Sequence, residues 1–282
     1  MEAIAVAAWV DGALVHPERA VVSAFDHGVT VGDGVFETLL VHHGVPFALR
    51  RHLERLERSA ATLGLEVPGR EVLARAVAEV VGEVVAASEL AQARLRLTVT
   101  GGPAPLGSGR GAAGPTVIVA AGALEPLPPT VDVVVVPWTR NERSALAGAK
   151  TTSYAENVVA LAHARGRGAG EAVFANTRGE LCEGTGSNVV VGVDGRLVTP
   201  PLSSGCLAGV TRALVLERCQ VEEAVLPVGA LAAAEEAFLT STTRGVQPIA
   251  SVDGRPLARA PGPLTAAAAA GFSDLLASDP DP

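Results

Sequence analysis

Lys150 is the single lysine among 22 Lys plus Arg, and the single tyrosine, Tyr154, follows four residues later. Arginine stays protonated, so it cannot serve as an amine nucleophile or base. Lysine can do both once its charge is disfavoured. A GC-rich genome explains a preference for Arg, yet the one Lys that is kept points to an amine with a chemical task. Other polar groups could work with it. Glu183 lies in Cys182-Glu-Gly-Thr-Gly-Ser-Asn188, an acid among small residues that reads as a turn. Leu207-Ala-Gly-Val-Thr211 opens a helix, whose first N–H groups can meet an anion. Thr240-Ser-Thr-Thr243 places hydroxyls at a strand end, and Arg55 sits on a helix of the first half. Each feature alone is an ordinary structural one, such as a helix cap or a solvated face. Together they match the needs of a phosphorylated aldehyde cofactor. Pyridoxal phosphate requires an amine for a Schiff base, an acid for its ring nitrogen and a cradle for its phosphate.

The composition narrows the classes. The chain has 282 residues, 48% hydrophobic and 18% charged, which suits one large or two medium domains and excludes a disordered protein. A formal net charge of −8 argues against a nucleic-acid partner. The longest apolar stretches, near Val117–Leu124 and Leu264–Ala270, are too short to span a membrane. Met1–Val10 lacks the basic start and cleavage pattern of a signal peptide. Three widely spaced cysteines, Cys182, Cys206 and Cys219, suggest neither a disulfide framework nor a metal site, and so a cytoplasmic protein.

The elements that must position these residues follow from periodicity. Ile4–Val10 and Ala13–His16 read as strands around an Asp11-Gly12 turn, and Gly34–His43 as a third strand. Leu49, Leu53, Leu56, Ala60 and Leu63 recur at helical spacing, with Gly64 as the stop; Glu71–Ala87 is a second helix. Arg94–Thr100 alternates with period two, Gly101–Gly114 is a loop and Thr116–Ala121 a strand. The Pro-rich run Glu125-Pro-Leu-Pro-Pro129 marks a boundary. Val131–Pro137, Glu171–Ala175, Ser187–Val193, Arg196–Thr199, Ala237–Ser241 and Gly245–Val252 read as strands. Ser153–Arg167, Gly209–Cys219 and Pro263–Ala277 read as helices. The expected fold is α+β with two domains, a small one over 1–120 and a larger one over 131–282, joined by a linker at 121–130.

In this order the segments resemble the class IV aminotransferases, the fold-type IV pyridoxal phosphate enzymes. That family includes D-amino acid and branched-chain aminotransferases and 4-amino-4-deoxychorismate lyase. The resemblance rests on Phe25-Asp-His-Gly28, Gly32-Asp-Gly-Val-Phe-Glu-Thr38, His52-Leu-Glu-Arg-Leu56 and Lys150 with Tyr154. It continues through Glu183-Gly-Thr-Gly-Ser-Asn188, Gly209-Val-Thr-Arg212 and Thr240-Ser-Thr-Thr243. It implies that Lys150 binds the cofactor's aldehyde and shuttles the proton, and that Glu183 pairs with the ring nitrogen. It further implies that Arg55, Val210, Thr211, Ser241 and Thr242 hold the phosphate, and that Tyr154 meets the phenolic oxygen. The larger domain would carry the cofactor, in a cleft between the two, and the protein would be a homodimer.

The substrate is set by whatever reads its carboxylate. The Arg-x-His pair typical of D-amino acid aminotransferases is missing at Val99-Thr-Gly-Gly-Pro103, and Phe36 stands where that subfamily has tyrosine. Arg94, Arg96 and Arg110 are the main candidate replacements, with Arg140 and Arg143 behind them. Transamination between an amino acid, D-amino acids favoured, and a 2-oxo acid is the leading expectation. The lyase reaction is the first alternative and a branched-chain aminotransferase the second.

Overall fold

The computed structural model describes residues 7–87 and 91–282. The start of the expected first strand, residues 4–6, lies outside the described residues. The chain forms two compact units. One gathers Met1–Glu125 with Ala149–Tyr154, and the other holds Pro126–Gly148 with Ala155–Pro280. The Lys150–Tyr154 segment, expected within 131–282, is therefore packed in the first unit.

In that first unit the order is β1 (Ala7–Val10), β2 (Ala13–Val15), α1 (His27–Thr30), β3 (Gly34–His42) and β4 (Val45–Pro46). Then come α2 (Leu49–Leu63), α3 (Arg70–Ala87), β5 (Gln92–Thr100) and β6 (Thr116–Ala123). The strands form one antiparallel sheet in the order β2-β1-β6-β5-β3-β4. The alternation along β5 sorts the faces as expected. Ala93, Leu95, Leu97 and Val99 enter the core, while Arg94 and Arg96 are exposed. Leu53, Leu56 and Ala60 of α2 join Leu73, Val77 and Val80 of α3 in the same cluster as Val35 and Leu39. The apolar stripe of α2 is the one read from sequence, and Gly64 ends the helix in a left-handed conformation at φ 59°.

The second unit contains β7 (Val131–Arg140), α4 (Ala155–Arg165), β8 (Glu171–Asn176), β9 (Leu181–Gly184), β10 (Asn188–Val193) and β11 (Arg196–Thr199). It continues with α5 (Val210–Arg218), β12 (Val221–Glu223), α6 (Ala230–Ala233), β13 (Glu236–Ser241), β14 (Gly245–Val252), β15 (Arg255–Pro256) and α7 (Pro263–Ser278). The strand path is β12-β11-β10-β13-β14-β7-β8-β9, with β15 paired to β14. β7 runs parallel to both β14 and β8, and β11 to β12, within an otherwise antiparallel sheet. Val133, Val173, Val189, Val191, Leu239 and Ile249 fill its core.

Two expectations are corrected here. Glu183 is in strand β9, opposite Phe174 of β8, rather than in a turn. Four residues with a glycine at one end carry little local β signal; the pairing with β8 makes the strand. The helix expected from Ser153 starts at Ala155, because Thr152 and Ser153 bond back to Gly32 instead of opening a helix. Among the described residues, no helix is long and apolar enough to cross a membrane, and no cluster of His, Cys, Asp and Glu forms a metal site.

Candidate active site

In the first unit, Lys150 is fixed by its backbone. β4 pairs only with the far end of β3, at Val41–His42, so the edge at Gly34–Phe36 is open to another segment. Residues 150–152 fill it. Phe36 N–H donates to the Lys150 carbonyl at 3.1 Å, and Thr152 N–H to the Gly34 carbonyl at 2.8 Å. The Lys150 N–H donates to Ser59 Oγ of α2 at 3.0 Å. Glycine is required at 34 by close approach: an added Cβ would stand 2.8 Å from the Val99 carbonyl and 3.0 Å from Thr152 Oγ1.

The lysine side chain lies against Phe36, with Nζ 4.3 Å from the ring centroid. Tyr154 meets the same ring edge-on, at a centroid distance of 5.3 Å. The Arg96 guanidinium carbon sits 3.6 Å from the Phe36 centroid. Two cations share one aromatic ring, which the ring's quadrupole favours. Among the arginines proposed from sequence, Arg96 is thus the one that shares a partner with Lys150. Arg94 is exposed one period away on β5. Arg110 is bound elsewhere: it donates to both oxygens of Asp33 at 2.7 Å and to the carbonyls of Leu63 and Gly64. It ties its loop to the carboxyl end of α2.

Arg55 is buried, and its environment was not foreseen. Its Nε and Nη2 donate to Glu37 Oε1 and Oε2 at 2.8 and 2.6 Å, while His52 Nδ1 is 2.7 Å from Glu37 Oε2. The Arg55 charge and these hydrogen bonds outweigh burial and hold the Glu37 carboxyl at about 2. Burial, opposed by Glu37 but helped by the charges of Arg55 and Lys150, lowers His52 from its ordinary value. Glu37 and His52 both stand in segments singled out from sequence. Their partnership has no local signature, because β3 and α2 come together only in the fold.

In the second unit Glu183 is half-buried. Its Oε2 accepts the Leu207 N–H at 2.8 Å, and its Oε1 lies 3.2 Å from Arg140 Nε, an ion pair without good hydrogen-bond alignment. Arg140 also donates to Glu156 at 2.6 Å and Asn157 at 2.7 Å and stacks 4.3 Å from the Phe174 centroid. That set of partners accounts for Arg140; Arg143 is exposed. The 183–188 segment is pinned by buried Glu171, whose carboxylate accepts from Thr185 and Ser187. Asn188 donates to the Leu207 carbonyl at 2.8 Å, so Leu207 is held from both sides, by Asn188 and by Glu183.

Helix α5 begins at Val210, and no side chain caps it. Thr211 is buried in its first turn, while Ser241 at the end of β13 and Thr242 just after it are half-buried. The Ser241 hydroxyl oxygen accepts from the Arg244 N–H at 3.3 Å, which leaves its hydrogen to be donated. Thr240 Oγ1 is buried with no hydrogen-bond partner among the described residues. An unsatisfied buried hydroxyl costs stability unless a ligand or water meets it. The cysteines offer no chemistry here: burial raises the thiol pKa of Cys182, Cys206 and Cys219.

Taken separately, each unit carries residue types that pyridoxal phosphate needs: the first an amine, a phenol and a buried arginine, the second a carboxylate, an uncapped helix start and hydroxyls. Comparison with known proteins agrees. The sequence profile of the amino-transferase class IV family matches residues 34–252. The chain is 34% identical to a candidate branched-chain-amino-acid aminotransferase of Methanocaldococcus jannaschii, covering 88% of each. It is 32% identical to a bifunctional aminodeoxychorismate lyase / D-amino acid transaminase of Mycobacterium tuberculosis, covering 89% of this chain and 93% of that one. A solved structure of a hypothetical aminotransferase from Mycobacterium tuberculosis in its pyridoxal phosphate-bound form is similar at a TM-score of 0.85 and 28% identity, with 97% and 99% of the chains covered. The family depends on pyridoxal phosphate, and its two-domain α+β fold is the one seen here. The chain belongs to the class IV aminotransferases.

Proposed function

We propose that the chain is a pyridoxal phosphate-dependent aminotransferase that moves an amino group from an amino acid, D-amino acids favoured, to a 2-oxo acid. The observation that carries this reading is the Phe36 ring shared by Lys150 and Arg96, at 4.3 and 3.6 Å. It sets a guanidinium suited to a carboxylate beside the amine that works on the adjacent carbon. The relative from Mycobacterium tuberculosis, whose name includes D-amino acid transaminase, supports the handedness.

Lys150 would hold the cofactor's aldehyde carbon, Glu183 its ring nitrogen and Tyr154 its phenolic oxygen. Arg55, the Val210 and Thr211 backbone, and the hydroxyls of Thr211, Ser241 and Thr242 would hold the phosphate. When bound, the cofactor supplies an electrophilic carbon and a ring that takes up electrons released at the substrate Cα. The rest falls to the protein. Arg96 orients the substrate by its carboxylate. Lys150 Nζ, once free as an amine, would accept the substrate Cα proton and would be the group that donates it again on the far side of the substrate nitrogen. Glu183, held by the Leu207 N–H and lying 3.2 Å from Arg140 Nε, would pair with the protonated ring nitrogen.

The second reading, aminodeoxychorismate lyase, is supported by the bifunctional relative, which carries both activities in its name. The branched-chain reading is supported by the relative from Methanocaldococcus jannaschii. Incubating the loaded enzyme with D-alanine, then with L-leucine, separates these readings. Conversion to the aminated cofactor with D-alanine supports the first, and conversion with L-leucine alone supports the branched-chain reading. No conversion with either, together with 4-aminobenzoate and pyruvate from aminodeoxychorismate, makes the lyase correct. A cytoplasmic homodimer is the proposed working form. The free thiols and the exposed apolar side chains Phe25, Val29, Val31 and Leu106 support it.

A further inference from the structure

We propose that Glu37 and His52 are positioning residues for Arg55, and that Arg55 acts on the cofactor phosphate as an oriented donor rather than as a net charge. The inference rests on the reading that Arg55 contacts that phosphate.

The three side chains meet in one buried cluster. Glu37 is 0% exposed and Arg55 5% exposed, so neither is much screened by water. The carboxylate accepts both Nε and Nη2 of Arg55, which fixes the plane of the guanidinium as well as its position. An ionised carboxylate only accepts, so the proton in the His52–Glu37 bond belongs to His52 Nδ1. Burial keeps that imidazole neutral, and it adds no charge. The Glu37–Arg55 pair is therefore neutral as a whole. The direction of that guanidinium plane is set by Glu37, itself held by His52, and a phosphate bound by Arg55 would meet it in that fixed orientation.

A second feature ties this set to the reacting amine. His52, Arg55 and Ser59 follow one face of α2, at spacings of three and four residues. Ser59 holds the Lys150 backbone. One helix face thus sets both the arginine and the lysine of a single ligand.

Two models of Arg55 predict opposite results for Glu37→Gln. If the arginine works by charge, removing the neutralising carboxylate strengthens phosphate binding. If it works by orientation, binding weakens. The experiment loads wild type, Glu37→Gln, His52→Leu and His52→Asn with pyridoxal 5′-phosphate or with pyridoxal, which lacks the phosphate. Release after dilution is followed by loss of visible absorbance. The expected result is release of the phosphorylated form about tenfold faster or more in Glu37→Gln and His52→Leu, the worth of a charge-assisted hydrogen bond. Release of pyridoxal should stay within about twofold of wild type, since Arg55 has nothing there to bind. His52→Asn, whose amide can replace Nδ1–H, should restore slow release. Unchanged or slower release of the phosphorylated form in Glu37→Gln overturns the proposal. So does equal acceleration of both cofactors, which marks general loosening. Should Glu37→Gln fail to fold, the His52 pair decides alone. Arg55→Lys tests the underlying reading separately: unchanged release there removes Arg55 from the phosphate site, whereas loss in Arg55→Lys with none in Glu37→Gln removes only the positioning role.

Discussion

Ser59 Oγ accepts the backbone N–H of Lys150 at 3.0 Å, across 91 residues of sequence. The serine is 2% exposed, so the bond is made where water cannot substitute for it. It registers the lysine against α2, and the Phe36 N–H bond to the Lys150 carbonyl registers it against β3. Ser59→Ala should cost about 1 kcal/mol of stability, the usual worth of one such bond. It should also lower kcat several-fold with little change in cofactor content. Thermal unfolding and steady-state rates check both.

Arg96→Gln should raise KM for the amino donor by about tenfold or more, the loss of one charged hydrogen bond to a carboxylate. The visible spectrum of the bound cofactor should not change. Arg94→Gln, on the same strand but away from Phe36, should leave KM near wild type. A KM unchanged in Arg96→Gln and raised in Arg94→Gln moves the carboxylate site along β5.

Arg110→Gln should act on stability alone. It removes a pair of bonds to Asp33 and the side-chain cap on α2, so the melting temperature should fall while KM holds. The Arg110 hydrogen bonds also hold Asp33 below its ordinary value, so the variant should unfold at a higher pH on acid titration.

Acid stability should show two steps. His52 is lowered in the folded state, so the unfolded chain binds its proton first, near the ordinary value of 6.5. Stability from that group is present above pH 6.5 and is lost as pH falls through the window below it. Glu37 is depressed to about 2 from its ordinary value of 4.5, so its contribution is present above 4.5 and is lost as pH falls toward 2. Both steps have the same sign. Melting curves against pH should lose the upper step in His52→Asn and the lower one in Glu37→Gln.

The parts of the site that lie in continuous segments were legible in the sequence. Helix α2 shows its apolar stripe and its glycine stop, so Arg55 could be placed on a helix, and the alternation of β5 places Arg96 outside the core. What escaped depends on pairing between distant segments. Glu183 sits on a four-residue strand that exists through β8. Residues 149–154 pack with the first unit because the edge of β3 is open at Gly34–Phe36. Glu37 reads as the acid in a mostly apolar strand, and only its burial against Arg55 and His52 shows why it is tolerated there. The pairing of Arg140 with Glu183 and of Glu171 with the 185–187 hydroxyls is hidden for the same reason.

Lys150 is proposed as the amine that carries the cofactor. Because it is the single lysine in the chain, the test is unusually clean. The loaded protein is reduced with borohydride, digested and examined by mass spectrometry. The expected result is one phosphopyridoxyl group per chain, on the peptide containing Lys150, and neither label nor turnover in Lys150→Arg. A label found only on the N-terminal amine, or turnover by Lys150→Arg without added amines, would contradict it.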